Sequence, residues 1–215
     1  MGQIFIVGSS SAHGVGGSRG GWGALLKLRL HQIMYGPNGL GERHQLYNFA
    51  KPGAKIEFVK RTFIPQLDDY RIPGPVMAII AVGGNNVKAE GSPDNFVSTV
   101  EQYEIQMADL LQTIRTKVDA VLVLGFKAYD ETKTNPRISP LNGKASYFTN
   151  ERATIFHSAL CRICTKENYQ LIDMGDMVDW VQHYVGDDGL HPNDAGHQKI
   201  ADDIWPHLVK FIGLS

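Results

Sequence analysis

Three short runs of apolar residues constrain the fold of this chain more than any other feature of its sequence. They are IFIV at residues 4–7, VMAIIAV at 76–82 and AVLVLG at 120–125, and a glycine ends or directly follows each run. Runs that do not alternate between apolar and polar residues are typical of strands buried on both faces of a sheet. A parallel sheet covered by helices on both sides is therefore expected at the centre of the protein.

The segments between these runs have the periodicity of helices, with apolar residues at spacings of three and four. Helices are predicted over residues 24–34, 54–64, 93–118, 150–167, 175–185 and 193–208, and two further strands over 45–50 and 169–173. Alternating strands and helices indicate an α/β protein, a three-layer α/β/α sandwich around a five-stranded parallel sheet. No repeat or linker divides the chain, so residues 1–215 are expected to form a single domain.

Proline positions set the expected ends of three helices. Ser92 followed by Pro93 is expected to start the helix that buries Phe96, because proline is tolerated at the first helical position. Pro65 is expected to end the second helix and Pro206 to break the last one, since proline lacks the backbone N–H that a helix interior needs.

Composition and charge exclude several functional classes. The 21 lysines and arginines nearly balance the 22 aspartates and glutamates, so no surface for nucleic acid is expected. No apolar run approaches the roughly 18 residues of a membrane span, and the early first strand leaves no room for a signal peptide, so a cytoplasmic location is expected. Cys161 and Cys164 are too few for a disulfide scaffold, and Cys164 falls on the apolar stripe of a helix, which favours a core thiol over a metal or redox site.

A loop rich in serine and glycine, residues 9–21, follows the first strand at the edge where ligands bind in open α/β sheets. Such a loop can cradle a phosphate or present a serine nucleophile. The phosphate loop of nucleotide hydrolases needs a lysine followed by Ser or Thr after its glycines, and this loop has none. The dinucleotide fingerprint also fails, because Arg19 stands where the third glycine belongs and Ala50-Lys51 stand where the acidic residue belongs. These absences favour the nucleophile.

A serine nucleophile needs a general base, a carboxylate that orients the base, and donors for the oxyanion. Asp188 and His191 lie three residues apart in DDGLHP, so one turn can supply both the carboxylate and the imidazole. Gly53 follows the second strand and can offer a backbone N–H, and Asn85 follows the third strand and can offer a side-chain amide. Taken singly, Gly53 and Asn85 are better explained as turn or capping residues. Together and in this order at strand ends, these features indicate acyl transfer by a serine.

Four sequence blocks together resemble the SGNH hydrolase family, the GDSL-type esterases and lipases. Residues 8–14 (GSSSAHG) match the family's G-D-S-x-x-x-G block, and residues 48–53 (NFAKPG) match its second block. Residues 83–86 (GGNN) and 188–191 (DGLH) match the third and fourth. The resemblance spans nearly the whole chain, from the first strand to the last helix. It implies a flavodoxin-like sandwich with five parallel strands in the order 2-1-3-4-5.

The resemblance also implies a role for each candidate residue. Ser10 becomes the nucleophile, and Asp188 and His191 complete a catalytic triad. The N–H groups of Ser10 and Gly53 and the side-chain amide of Asn85 form the oxyanion hole. The implied activity is hydrolysis of small-molecule carboxylic esters, short-chain or O-acetyl, with no metal or cofactor. The same residues would serve a thioester hydrolase or a carbohydrate O-deacetylase, and a non-catalytic ligand-binding module of this fold is the alternative from another class.

The chain departs from the family pattern at two positions. Ser9 and Asn86 stand where the family usually has aspartate. Both changes remove a negative charge near the site, but neither position carries the nucleophile or the proton transfer, so activity is expected to survive. The polar segment over residues 127–149 is long for a plain connection, which suggests a functional loop or lid as readily as a solvated loop.

Overall fold

The computed structural model describes residues 1–139 and 143–214. Residues 140–142, which belong to the predicted loop over 127–149, lie outside the described residues. In chain order the strands are β1 (Gly2–Gly8), β2 (His44–Asn48), β3 (Val76–Ala81), β4 (Ala89–Glu90), β5 (Ala120–Leu124), β6 (Arg137–Ile138), β7 (Ala145–Tyr147) and β8 (Gln170–Ile172). The helices are α1 (Ser10–His13), α2 (Gly21–Tyr35), α3 (Ile56–Tyr70), α4 (Gly84–Val87), α5 (Val100–Arg115), α6 (Glu131–Thr134), α7 (Asn150–Glu167), α8 (Met177–His183) and α9 (Asp194–Phe211).

Five strands form the central parallel sheet, in the order β2-β1-β3-β5-β8. The labels differ from the predicted 2-1-3-4-5 because three short strands intervene along the chain; the five parallel strands, counted among themselves, follow that order. The short strands form a separate antiparallel sheet, β4-β7-β6, which the sequence did not predict. Strands of two or three residues are too short to show a period of two, so their pattern carries no signal.

The side chains of β1 show why its sequence is apolar throughout. Phe5 and Val7 point to one face of the sheet and pack with residues of α3, α5 and α7. Ile4 and Ile6 point to the opposite face and pack with residues of α2 and α9. All four side chains are fully buried. A strand between two helical layers has no solvent-facing side, which confirms the predicted three-layer α/β/α arrangement.

The predicted start of the long helix after β3 is wrong. The helix begins at Val100, where the Thr99 hydroxyl accepts the Gln102 N–H and the Gln102 side chain accepts the Thr99 N–H. This capping box satisfies two backbone donors at the helix start. Phe96 therefore precedes the helix; it is 47% exposed, and the Arg152 guanidinium lies 3.7 Å from its ring centroid.

The predicted helix breaks at Pro65 and Pro206 are also wrong, because α3 and α9 continue through them. An interior proline costs about 3 kcal/mol. The turns that follow bury Leu67 and Leu208 completely. Burial of one leucine contributes about 1.5–3 kcal/mol, which offsets most of the local cost.

Candidate active site

A sharp turn at the carboxyl end of β1 places Ser10 at the edge of the sheet. Gly8 ends the strand, and a Cβ atom there would lie 2.6 Å from both Ala12 Cβ and Ala81 O, so only glycine fits. The single-turn helix α1 starts at Ser10 and ends at Gly14, whose φ of 106° is left-handed and whose N–H donates to Ser10 O. The strand, the turn and α1 together fix the direction in which the Ser10 hydroxyl points.

His191 and Asp188 complete a hydrogen-bonded chain with Ser10. The distance from His191 Nε2 to Ser10 Oγ is 2.8 Å, across 181 residues of sequence. On the other side of the ring, His191 Nδ1 lies 2.6 Å from Asp188 Oδ2. His191 is 9% exposed, so little water competes for these bonds. The structure thus brings the predicted nucleophile, base and carboxylate together in the order that proton transfer requires.

Asp188 is held in its ionised form. Burial alone would raise the pKa of this carboxyl group, but hydrogen bonds from the His191 side chain and from the N–H groups of His191 and Leu190 lower the pKa well below its usual range. Arg137 Nη2 lies 3.4 Å from Asp188 Oδ2 and adds a positive charge. The carboxylate therefore stays charged at any pH where the protein is assayed, and it can stabilise an imidazolium at His191.

Asn85 lies on α4, directly after β3, and its side chain lines the same cavity as Ser10 and His191. Its Nδ2 donates to Ala54 O at 3.1 Å, which fixes the amide plane and leaves the second hydrogen of Nδ2 for another acceptor. Gly53 lies beside Ala54 in an exposed turn with a left-handed φ of 79°. Gly53 is not among the described residues that line the cavity. The structure thus places Asn85 at the site, whereas Gly53 is linked to it through its neighbour Ala54, whose carbonyl accepts from Asn85.

Asn86 is the departure from the family pattern that the structure explains. It is completely buried; its Oδ1 accepts the Ile56 N–H at 3.2 Å and its Nδ2 donates to Ser98 Oγ at 3.1 Å. An ionised carboxylate has acceptors only, so an asparagine suits a position that both donates and accepts in a buried environment. The Ser9 backbone donates to Ala81 O at 3.2 Å, but nothing in the structure explains why serine replaces aspartate there.

A cavity of about 80 Å³ adjoins Ser10 and His191. Its apolar wall includes Leu124 at the end of β5, Phe126 just after it, Phe148 of the predicted loop over 127–149, and Leu190 next to His191. Lys127 and Tyr129 add a cation and a hydroxyl. Both residues belong to the segment over 127–149, for which a functional loop is one interpretation of the sequence, although the sequence assigns neither of them a specific role; Lys127 also follows β5 at the same sheet edge as the other site residues. The carboxyl edge of such a sheet is where ligands bind, and this placement could have identified Lys127 as a site residue.

Two further residues with reactive side chains, His13 and Cys164, are not among the described residues that line this cavity. His13 is exposed, with Nδ1 3.3 Å from Ala50 O. Cys164 is buried in the core between the sheet and α7, as predicted. Within residues 1–139 and 143–214, no group of three or more His, Cys, Asp or Glu side chains is arranged to hold a metal ion. In the same ranges, no helix combines the length and apolar character needed to cross a membrane.

The sequence and the fold were compared with known proteins. A model of the GDSL-like lipase/acylhydrolase family matches residues 4–204. No curated protein sequence matches the chain significantly. Similar solved structures include the psychrotrophic esterase EstA from Pseudoalteromonas sp., which is 18% identical over 98% of both chains with a TM-score of 0.67.

Two further solved structures show the same likeness. A G-D-S-L family lipolytic protein from Veillonella parvula is 14% identical over 96% of this chain and 97% of that chain, with a TM-score of 0.69. Axe2, an acetylxylan esterase from Geobacillus stearothermophilus, is 17% identical over 99% of this chain and 94% of that chain, with a TM-score of 0.62. At these identities the structural likeness shows the fold.

Proposed function

The chain belongs to the GDSL-like lipase/acylhydrolase family, and we propose that it hydrolyses short-chain carboxylic esters through an acyl-enzyme on Ser10. The observation that carries the proposal is the unbroken chain from Ser10 Oγ to His191 Nε2 at 2.8 Å and from His191 Nδ1 to Asp188 Oδ2 at 2.6 Å. A serine hydroxyl hydrogen-bonded in this way to an adjacent imidazole base is an activated nucleophile. A module that only bound ligand would have no use for this proton path.

The proposed cycle has two stages. As Ser10 Oγ attacks the ester carbonyl carbon, its proton passes to His191 Nε2, and Asp188 stabilises the imidazolium that forms. The oxyanion accepts hydrogen bonds from the Ser10 N–H, the Gly53 N–H and the Asn85 amide. His191 then protonates the leaving alkoxide. Water attacks the acyl-enzyme by the same route, giving up a proton to His191, which returns it to Ser10 as the carboxylic acid leaves.

Replacing Asn85 tests the proposed oxyanion hole. Asn85→Ala is expected to lower kcat by about 100- to 1000-fold, because one preorganised donor to the oxyanion is lost. The measurement is steady-state hydrolysis of p-nitrophenyl acetate. Because the Asn85 side chain also donates to Ala54 O, a thermal melt of the variant serves as the control for folding. A folded variant that loses less than about threefold in kcat would show that the hole is built elsewhere.

The size of the cavity predicts a preference for short acyl groups. At about 80 Å³, the cavity is far smaller than the roughly 300–1,000 Å³ of sites for drug-sized ligands. Forcing extra methylenes into a packed wall costs about 1–3 kcal/mol, so kcat/KM is expected to fall about tenfold or more from p-nitrophenyl acetate to the octanoate. A chain-length series measures this fall. Equal or faster hydrolysis of the octanoate would contradict the proposed substrate class.

A carbohydrate O-deacetylase is the second candidate within this chemistry, since one structural neighbour is an acetylxylan esterase. An acyl-thioester hydrolase would use the same residues. The three activities can be distinguished by assaying three substrates side by side at equal concentration: acetylated xylan, acetyl-coenzyme A and p-nitrophenyl acetate. The substrate with the highest kcat/KM identifies the class.

A further inference from the structure

Lys127 is a basic residue in the lining of the candidate active site. It lies three residues after β5 ends, and it lines the cavity together with Ser10, Asn85 and His191. Its side chain is partly buried, and burial lowers the pKa of its ammonium group to about 8. The ammonium group is therefore largely protonated at neutral pH, in an environment that disfavours its charge.

Nothing in the described part of the chain neutralises this charge. No carboxylate there lies within 4.0 Å of Lys127 Nζ, and no hydrogen bond to Nζ is formed. Other lysines on the surface do have carboxylate partners: Lys60 with Asp109, Lys117 with Asp68, Lys133 with Asp130 and Lys199 with Asp203. An unpaired, partly buried cation costs free energy unless a ligand supplies the opposite charge.

Tyr129 adds a second donor to the same wall. Its side chain is 6% exposed, and its hydroxyl lies 3.8 Å from the position that a Cβ of Gly84 would occupy, next to Asn85. Burial raises the pKa of this hydroxyl far above its usual range, so it remains a neutral donor. The Tyr129 backbone is held on both sides by Asn150, at 2.8 Å and 2.9 Å, which fixes the wall before substrate arrives.

The cavity offers no negative charge to compete with a ligand. None of its described lining residues is an aspartate or glutamate. The nearby carboxylate of Asp188 is already paired with His191 and Arg137. His197, whose pKa is lowered by burial and further by Lys127, is hydrogen-bonded to the backbone of Trp22 and Val15. The electrostatic potential in the cavity therefore favours the binding of an anionic ligand.

We propose that Lys127, assisted by the Tyr129 hydroxyl, binds a carboxylate of the substrate, so that the enzyme prefers anionic esters to neutral esters of similar size. The inference rests on the proposed function, because it names the substrate class of the same site. A charge-assisted hydrogen bond to a carboxylate contributes about 1.5–3 kcal/mol, equivalent to a preference of roughly 10- to 150-fold in kcat/KM.

The test compares neutral and anionic esters with the carboxylate on either side of the ester bond. Phenyl butyrate and phenyl hydrogen succinate differ in the acyl half, and methyl 4-acetoxybenzoate and 4-acetoxybenzoate differ in the leaving group. Wild type is expected to prefer one of the two anionic esters about tenfold or more. Lys127→Met is expected to remove most of that preference, and Lys127→Arg to retain part of it. Lys133→Met, on an exposed lysine of the same segment, is the matched control and should leave the preference unchanged.

The pH dependence of the preference adds an independent readout. The ratio of anionic to neutral kcat/KM cancels any pH dependence that the catalytic steps common to both substrates impose. His197 and Tyr129 face the same region, and both are neutral at neutral pH. The preference should therefore be present below about pH 8 and decline above it, as Lys127 loses its proton.

The outcomes separate this inference from the proposed function. If wild type hydrolyses the neutral esters but prefers neither anionic ester, or if Lys127→Met keeps the full preference, the role of Lys127 is overturned while the esterase proposal stands. If none of the four esters is hydrolysed faster than in the enzyme-free blank, the proposed function fails and the inference fails with it.

Discussion

Ser10→Ala is expected to lower kcat for p-nitrophenyl acetate by about 10⁶-fold, the loss that follows when the nucleophile of a triad is removed. The hydroxyl lies 2.8 Å from His191 Nε2, and no other serine hydroxyl among the described residues is hydrogen-bonded to that ring. Alanine removes one oxygen atom and leaves α1 and its backbone hydrogen bonds in place. The expected change is therefore in kcat, with little change in stability.

The matched control for this variant is the adjacent Ser11→Ala. The Ser11 hydroxyl is buried and has no hydrogen-bond partner within the described structure. Removing an unsatisfied buried hydroxyl is neutral or slightly stabilising, so Ser11→Ala should keep kcat within about tenfold of wild type. If Ser10→Ala retains substantial turnover, or if Ser11→Ala is the inactive variant, Ser10 is not the nucleophile.

Asp188→Asn is expected to lower kcat by about 10⁴-fold. The substitution keeps the size of the side chain but removes its charge, and the amide group can present N–H to His191 Nδ1 where the carboxylate accepts. The imidazole then holds its proton on the wrong nitrogen and cannot accept the Ser10 proton. The measurement is kcat for p-nitrophenyl acetate at neutral pH, with a thermal melt to show that the variant is folded.

Asp187→Asn is the control for Asp188. Asp187 precedes Asp188 directly in the chain, but its side chain is exposed and makes no hydrogen bond or ion pair within the described ranges. An exposed substitution of this kind changes activation or folding free energies by less than about 0.5 kcal/mol, or about twofold in rate. Equal losses of kcat in the Asp187→Asn and Asp188→Asn variants would contradict the assignment of Asp188 as the orienting carboxylate.

The sequence predicted the central sheet well because its strands are buried on both faces, and a run such as IFIV leaves few alternatives. Asp188 and His191 were predictable because three residues suffice to bring both groups to one side of a turn. Helix ends were less predictable. The Ser92-Pro93 pair has the composition of a helix start, yet the capping box at Thr99 and Gln102 satisfies more backbone donors and begins the helix instead.

The remaining features depend on contacts between distant parts of the chain. In sequence, Lys127 and Arg137 are not distinguished from other basic residues. Their roles follow from the fold, which places Lys127 in the cavity lining and Arg137 beside Asp188. In sequence, Asn86 shows only the loss of the family's aspartate charge. In the structure, its Oδ1 accepts from the Ile56 N–H and its Nδ2 donates to Ser98 Oγ, so the position needs both an acceptor and a donor. Such roles arise from tertiary packing and leave no local pattern.

If Ser10 forms the acyl-enzyme, its hydroxyl should also react covalently with a serine-directed probe. The wild-type protein is treated with a fluorophosphonate, which reacts with an activated serine, and the modified residue is located by peptide mass spectrometry. We expect one equivalent of adduct on Ser10, formed in step with the loss of esterase activity and absent from the His191→Ala variant. Modification of a different residue, or full inactivation with Ser10 unmodified, would contradict it.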